Sequence, residues 1–269
     1  LLFIVHMQKL VVIGKDGKKK YVNVPSWDAG YFVSAVSSYN DVAYSLAPVL
    51  YLDSGRTDSY SGSGSLWRNI SGSSAYNATL TGSGGSIATY STASSGLLTF
   101  NPSSSQWASV ADLGTLSNFT VNVWCKFYAP PNAGVNAIVT NRYPGGSVLN
   151  FAIGSVSTNN LIYGSYFNSG WITSSVGIAV QTGSWYNFTV SYNGSVLKYY
   201  VNGQLTSSNS SSAAATSTGA GINIAKRWDA SATSDFISAS VPVVLIYNTA
   251  LTDANISDIY NQFKLRYVY

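Results

Sequence analysis

The chain contains no glutamate: all ten acidic residues among its 269 are aspartate. Hydrolysis of a glycosidic bond needs a carboxyl pair flanking that bond, one acid and one base or nucleophile. The aspartates are scattered, and no strand-like segment carries two at i, i+2. A hydrolase site of that kind is not expected. Histidine occurs once (His6) and cysteine once (Cys125). A single cysteine excludes a disulfide within the chain, and a lone thiol fits assembly in a reducing compartment. One histidine, distant from any strand–turn–helix nucleophile segment, leaves no Ser-His-Asp arrangement. Zinc lacks its ligand cluster. Gly14-Lys15-Asp16-Gly17-Lys18 is a tight-turn run rather than a phosphate loop. Long hydrophobic runs are missing too. Leu1 to Val5 is too short to span a bilayer, and with no basic segment before it no signal peptide is expected. Met7 is an alternative start.

Charge is also scarce, at 9 % of residues, and it is unevenly placed. Lys9, Lys15, Lys18, Lys19 and Lys20 stand against Asp16 alone, so the first twenty residues carry the whole net charge of +4. The rest balances, with nine Lys/Arg against nine Asp. A neutral polar body is a poor partner for nucleic acid. What is plentiful is aromatic and turn-forming: 20 Tyr, 10 Phe, 7 Trp and 24 Gly, amid Ser, Thr, Asn and β-branched residues. That is a composition of many strands and turns. The length suits one large β-sandwich.

Residues 8 to 24 read as a β-hairpin. Lys9 to Ile13 is an apolar strand, Asp16-Gly17 a tight turn, Lys20 to Val24 the return strand, and Pro25 its end. The ribbon is either an extra edge on the main domain or an arm for a neighbouring subunit. Residues 26 to 45 are a less regular connection. The sequence divides into an N-terminal arm, 1–45, and a main domain, 46–269. Phe119 to Phe127 alternates, with Phe119, Val121, Val123, Cys125 and Phe127 on a buried face and Thr120, Asn122 and Lys126 on the other. Cys125 is therefore a small core residue. Tyr186 to Tyr192 and Val196 to Val201 flank Asn193-Gly194, a type I′ hairpin signal, and Asn202-Gly203 turns again. Ser207 to Gly221 reads as a low-complexity loop, either exposed or pressed against a neighbour. Val241 to Tyr247 is a late strand, and Pro242 argues for an edge or a strand start. Thr252 caps a short helix whose apolar face is Ile256, Ile259, Tyr260 and Phe263.

Several segments, in this order, carry a family resemblance. Val49 to Gly55 with Ser59 to Gly64 and Leu66-Trp67 form an opening block. Phe119-Thr120-Val121-Asn122-Val123-Trp124 is a central strand. Gly183-Ser184-Trp185-Tyr186 and Tyr199 to Gly203 form a hairpin, and Ile246 to Thr252 a junction before the helix. The set resembles laminin-G-like domains of the concanavalin A-like lectin/glucanase superfamily, of the type seen in phage and other viral virion proteins. It spans roughly residues 46 to 267. The resemblance implies an all-β fold, a jelly-roll sandwich of two antiparallel sheets. Together with the segments above it yields that sandwich with an N-terminal β-hairpin arm and one short C-terminal helix. It does not fix a function, because the fold hosts lectins, glycosidases, receptors and virion components.

Sugar rings stack on exposed aromatics, and Asn/Asp bond their hydroxyls. Trp171, Trp228, Tyr143 and Tyr166 lie in loop-like stretches and are the glycan candidates, with core packing as the alternative. No cofactor is expected. Ca2+ is the alternative, because related sandwiches hold it in loops; Asp53, Asp58, Asn141 and Asp229 could offer oxygens there, or simply close turns. Seven Asn-x-Ser/Thr sequons occur, at Asn69, Asn77, Asn118, Asn187, Asn193, Asn209 and Asn255; Asn187 is expected on an outward strand face and Asn193 at a turn tip. The functional expectation is a non-enzymatic structural virion protein, a minor capsid, decoration, fibre or tail component, anchored on other virion subunits or on copies of itself. Lys15, Lys18, Lys19 and Lys20 form its assembly arm. The alternative is an adhesin that binds host-surface glycans.

Overall fold

Two strands of seven residues, β1 (Met7–Ile13) and β2 (Lys19–Pro25), pair antiparallel in a two-stranded ribbon. Met7 stands opposite Pro25 and Ile13 opposite Lys19. Pro25 ends the return strand, where its missing N–H costs no ladder bond. In this computed structural model the described residues are 7–13, 19–25, 41–131, 136–142, 149–155, 161–167, 171–210, 221–227 and 236–268. The Asp16-Gly17 turn lies outside them. Contacts divide the chain into two units, Leu1–Val42 and Ala43–Tyr269.

Beyond the ribbon the chain runs, in order, through α1 (Val42–Ser45), β3 (Leu50–Asp53), β4 (Leu66–Trp67), β5 (Ala78–Thr81), β6 (Thr89–Ser91), β7 (Leu97–Phe100), β8 (Trp107–Val110), β9 (Phe119–Phe127), β10 (Asn136–Arg142), β11 (Leu149–Ser155), β12 (Leu161–Phe167), β13 (Trp171–Thr173), β14 (Ile178–Ala179), β15 (Trp185–Tyr192), β16 (Val196–Val201), β17 (Gln204–Ser210), β18 (Ile222–Ile224), β19 (Ala239–Tyr247) and α2 (Asp253–Tyr267). Among the described residues they build two antiparallel sheets. One has nine strands, in the order β13-β12-β11-β10-β18-β8-β5-β4, with β14 also on β12. The other has eight, in the order β17-β16-β15-β9-β19-β7-β6, with β3 also on β19. The sheets enclose one apolar core, to which Val121, Val123 and Phe127 contribute from β9, and Ile153 and Ile224 from the opposite sheet. This is the expected sandwich. No helix among the described residues is long and apolar enough to cross a membrane.

Cys125 sits in that core, and burial pushes its thiol well above the ordinary range. The other face of β9 departs from expectation. Thr120, Asn122 and Trp124 are as buried as the core set, because α2 lies over this face. Trp124 stacks on Tyr260 at 5.5 Å between ring centroids and packs against Tyr267 at 5.0 Å. Thr252 caps α2 as expected, its hydroxyl accepting from the Asn255 N–H at 3.2 Å. The helix buries Ile256, Ile259, Phe263 and Tyr267. A sheet with a helix on its back has two buried faces, so alternation alone does not show which side is wet.

Three further expectations are corrected. Pro242 is not at an edge or a strand start: β19 lies inside its sheet, between β9 on one side and β7 and β3 on the other. The register shifts between Ser240 and Val243, where the partner changes from β7 to β3, so the ladder asks for no N–H from Pro242. Its carbonyl accepts the Ser54 N–H at 2.8 Å. Asn193-Gly194 does not form the two-residue type I′ turn: the loop is 193–195, only Gly194 takes positive φ (87°), and the Asn193 side-chain oxygen accepts from Ser195 and Val196 N–H. Asn202-Gly203 has φ of 51° and 75°, the two left-handed residues a type I′ turn requires. Finally, Ser207 to Ser210 belong to β17 rather than to a loop. An edge strand held by backbone bonds to β16 needs few core side chains.

Candidate functional site

Strand alternation sorts the nine-stranded sheet into two faces. Leu80, Ala108, Ile224, Val139 and Ile153 stand opposite one another in register and belong to the inter-sheet core. Their neighbours therefore point away from it. In register those neighbours make a single row, Thr79–Ser109–Asn223–Thr140–Ala152–Ser165–Thr173, from β5 through β8, β18, β10, β11 and β12 to β13. All seven side chains are short and six are polar. Thr79 is exposed, and Ser109, Asn223 and Thr173 keep part of their surface in solvent. Thr140, Ala152 and Ser165 are buried, and the Thr140 hydroxyl donates to the Phe151 carbonyl at 3.3 Å.

Aromatic residues flank this row. Trp107 lies two residues before Ser109, and Tyr163 two before Ser165. Successive antiparallel pairings make β8, β10 and β12 run the same way, so both aromatics fall on the same side of the row. Four strand spacings separate them, roughly 19 Å. The Lys226 ammonium sits 4.0 Å from the Trp107 ring centroid, a cation–aromatic pair beside the open end of the row. Gly177 lets the Tyr163 ring lie against backbone, because a Cβ there would collide with that ring. Hydroxyls and one amide at fixed register positions, with no carboxylate among them, suit a hydroxyl-rich ligand rather than a charged one.

The expected site residues fare differently. Tyr166 and Trp171 lie on strands, not loops: Tyr166 stands opposite Ile172 and Trp171 opposite Phe167, two residues from Thr173. Their side chains, and all of Tyr143 and Trp228, lie outside the described residues. So do Lys15 and Lys18; Lys19 and Lys20 begin β2, opposite Ile13 and Val12. Of the Ca2+ candidates, Asp53 is held by Arg266 and Asp58 by Arg56, each through contacts of 2.7 Å. The Arg56 guanidinium holds Asp58 below the usual carboxylate range. Asn141 is buried within β10, and Asp229 lies outside the described residues. Among the described residues no group of three His, Cys, Asp or Glu converges.

The sequon expectation for Asn187 is overturned. Asn187 is fully buried under α2 and exchanges side-chain amide bonds with Asn122 at 3.0 and 3.1 Å. Asn122 also donates to Thr189 at 2.6 Å. Asn193 is exposed at its turn, as expected. Sequence reasoning missed Thr79, Trp107, Ser109 and Asn223. The alternation Trp-Ala-Ser-Val in β8 and Ile-Asn-Ile in β18 was a usable local signal, but only the register brings these strands side by side.

The family described as "Concanavalin A-like lectin/glucanases superfamily" matches residues 101–257, more than half of the chain. The chain belongs to this superfamily. No protein of curated function matches the sequence. Among solved structures, domain 4 of AbnA, a GH43 extracellular arabinanase from Geobacillus stearothermophilus in complex with arabinotriose, superposes with a TM-score of 0.60 at 16 % identity. The match covers 79 % of this chain and 98 % of that domain. The receptor-binding domain of botulinum neurotoxin type G gives 0.57 at 15 % identity, over 80 % of this chain. A structure of botulinum neurotoxin type C, whose cell entry is dependent on interaction with two ganglioside molecules, gives 0.56 at 15 % identity over 81 %. This chain spans about half of each toxin structure, 51 %. At such identities the likeness establishes the sandwich fold and nothing finer.

Proposed function

We propose that the protein is a non-catalytic carbohydrate-binding sandwich that receives a glycan along the outer face of its nine-stranded sheet. The observation carrying this reading is the open end of the polar row, Thr79, Ser109 and Asn223, with Trp107 beside it. Short hydroxyl and amide groups bond sugar hydroxyls, and an indole takes the C–H face of a ring. The arabinotriose bound to the arabinanase domain and the gangliosides named for the type C toxin support the ligand class. The absence of Glu supports binding without turnover. A glycan array probed with the folded chain tests the reading. A defined glycan class should bind, and Trp107→Ala should weaken it about tenfold, worth about 1.4 kcal/mol. Trp171→Ala and Trp228→Ala extend the test to the other tryptophans singled out from the sequence. Silence across the array, or binding indifferent to Trp107→Ala, defeats it.

A second reading is a virion component, acting in the particle and contacting its other subunits through the basic arm. It is supported by the sequence resemblance to virion domains and by the ribbon of β1 and β2, which forms a contact unit separate from the sandwich. A ribbon of two strands is marginal alone, so it needs a partner surface. Deleting residues 1–45 should abolish incorporation into particles while the sandwich stays folded; unchanged incorporation would sink this reading.

A further inference from the structure

The eight-stranded sheet carries a different feature at one end. A groove of about 480 Å3 opens between the β15–β16 loop and the start of α2. That volume falls within the range of small-ligand sites. Its floor is apolar, with Val196 from β16 on one wall and Ala250, Leu251 and Ala254 on the other. Its rim is polar, built from Asn193, Lys198, Thr252 and Asp253.

The rim groups are held in place. Lys198 Nζ donates to Asp253 Oδ1 at 2.7 Å, and the Tyr200 hydroxyl donates to the same oxygen at 2.7 Å. Those two donors, Lys198 first and Tyr200 second, hold the Asp253 carboxyl below its usual range. One of three ammonium hydrogens is thus used, and two donors remain. Across the groove, the Asn193 side-chain oxygen accepts two backbone N–H groups at 3.0 and 2.8 Å. That orientation leaves its NH2 as a donor with no partner among the described residues. The rim therefore offers a carboxylate acceptor beside an ammonium donor, with an amide donor opposite, over an apolar floor. The adjacent cation and anion cancel, which disfavours a strongly charged ligand. A pair of neighbouring hydroxyls, one donating and one accepting, matches the carboxylate and ammonium together.

We infer that this groove binds one edge of a neutral pyranose, with vicinal hydroxyls on Lys198 and Asp253 and the ring's C–H groups on Val196 and Ala254. The inference borrows only its ligand class from the carbohydrate reading above. It places a second, compact site on the opposite sheet from the polar row.

The test is a titration of the isotope-labelled full chain with the methyl glycosides of glucose, galactose, mannose and N-acetylglucosamine, read by amide chemical shifts. At least one glycoside should shift the amides of Asn193, Ser195, Val196, Asp253 and Ala254. Lys198→Ala and the groove-filling Ala254→Trp should each weaken that response at least ~tenfold, with thermal midpoints confirming that both variants fold. Ala254 is exposed, so the larger side chain enters solvent-filled space rather than the core. Shifts that persist when the groove is filled, or that are confined to Thr79, Ser109 and Asn223, overturn the groove alone. Silence at both places also overturns the groove, and the carbohydrate reading then stands or falls on the glycan array alone.

Discussion

Arg266 and Asp53, 213 residues apart in sequence, grip each other through two hydrogen bonds of 2.7 and 2.8 Å. The contact is bidentate, the planar guanidinium matching both carboxylate oxygens. Asp53 is 1 % exposed and ends β3; Arg266 lies in the last turn of α2. Gly55 leaves the space the guanidinium occupies, since a Cβ there would strike it. The Gly55 N–H also donates to Asp53 at 2.9 Å. The pair fastens the last turn of α2 to β3.

Removing either partner strands a charge in the interior. Arg266→Ala and Asp53→Ala should each cost about 3–5 kcal/mol of unfolding free energy. Urea denaturation measures this. Replacing both residues by apolar ones should recover part of the loss, and a double variant as unstable as the sum of the singles would contradict the pairing.

Gly164 lets β12 come up close against side chains of the opposite sheet. A Cβ there would overlap Val190 Cγ2 and lie 2.7 Å from Tyr199 Cδ2. Both neighbours are packed in the core and cannot yield freely. Gly164→Ala should destabilise the sandwich by roughly 1–3 kcal/mol, against the usual small gain when glycine is replaced in a strand. A neutral or stabilising result in a thermal melt would show that the core has slack here.

Asn187 tests the reversed sequon. Its amide is fully buried and bonded to Asn122, so Asn187→Ala should cost about 1–3 kcal/mol through the unpaired Asn122 group. Expressed in a glycosylating host, the folded fraction should carry no glycan at Asn187, while exposed Asn118 and Asn193 remain open to modification. Glycopeptide mass spectrometry decides. A glycan on Asn187 in folded protein would mean that α2 does not cover this face in solution.

Acid sensitivity has a predicted sign. Asp253 and Asp58 both titrate below the usual carboxylate range, held down first by bonds from Lys198 and from Arg56. A carboxyl with a depressed folded value stabilises the protein fully above its unfolded value and loses that contribution as pH falls through the folded one. Denaturant midpoints should therefore drop on the acid side, and Asp253→Asn should flatten part of that fall. An Asp253→Asn profile parallel to wild type would rule out the Lys198–Asp253 contribution. Both carboxylates are well exposed, so the effect is small and shrinks with salt.

Local chemistry was legible where the physics is local. Phe119 to Phe127 announces a strand because alternate apolar residues pack on one face. Thr252 with Asp253 announces a helix start because a hydroxyl caps a free first-turn N–H and a carboxylate complements the positive end of the helix dipole. Pro242 misleads for the opposite reason. Its tolerance depends on a change of strand partner, from β7 to β3, that no local pattern records. Asn122 and Asn187 mislead likewise: they alternate like solvent-facing residues, yet a helix that begins more than sixty residues after Asn187 covers them.

By itself, the sequence determined the sandwich class, the neutral body with its charge gathered in the first twenty residues, the buried Cys125 and the lack of a Glu pair. These arise from composition, periodicity and turn chemistry, which act over a few residues. Only the tertiary structure decided that the back of β9 is dry, that Asp53 and Arg266 meet, and that Thr79, Ser109 and Asn223 fall beside Trp107. Each of those depends on cross-strand register or on a long-range closure. A one-residue slip in register would send every side chain of a strand to the opposite face.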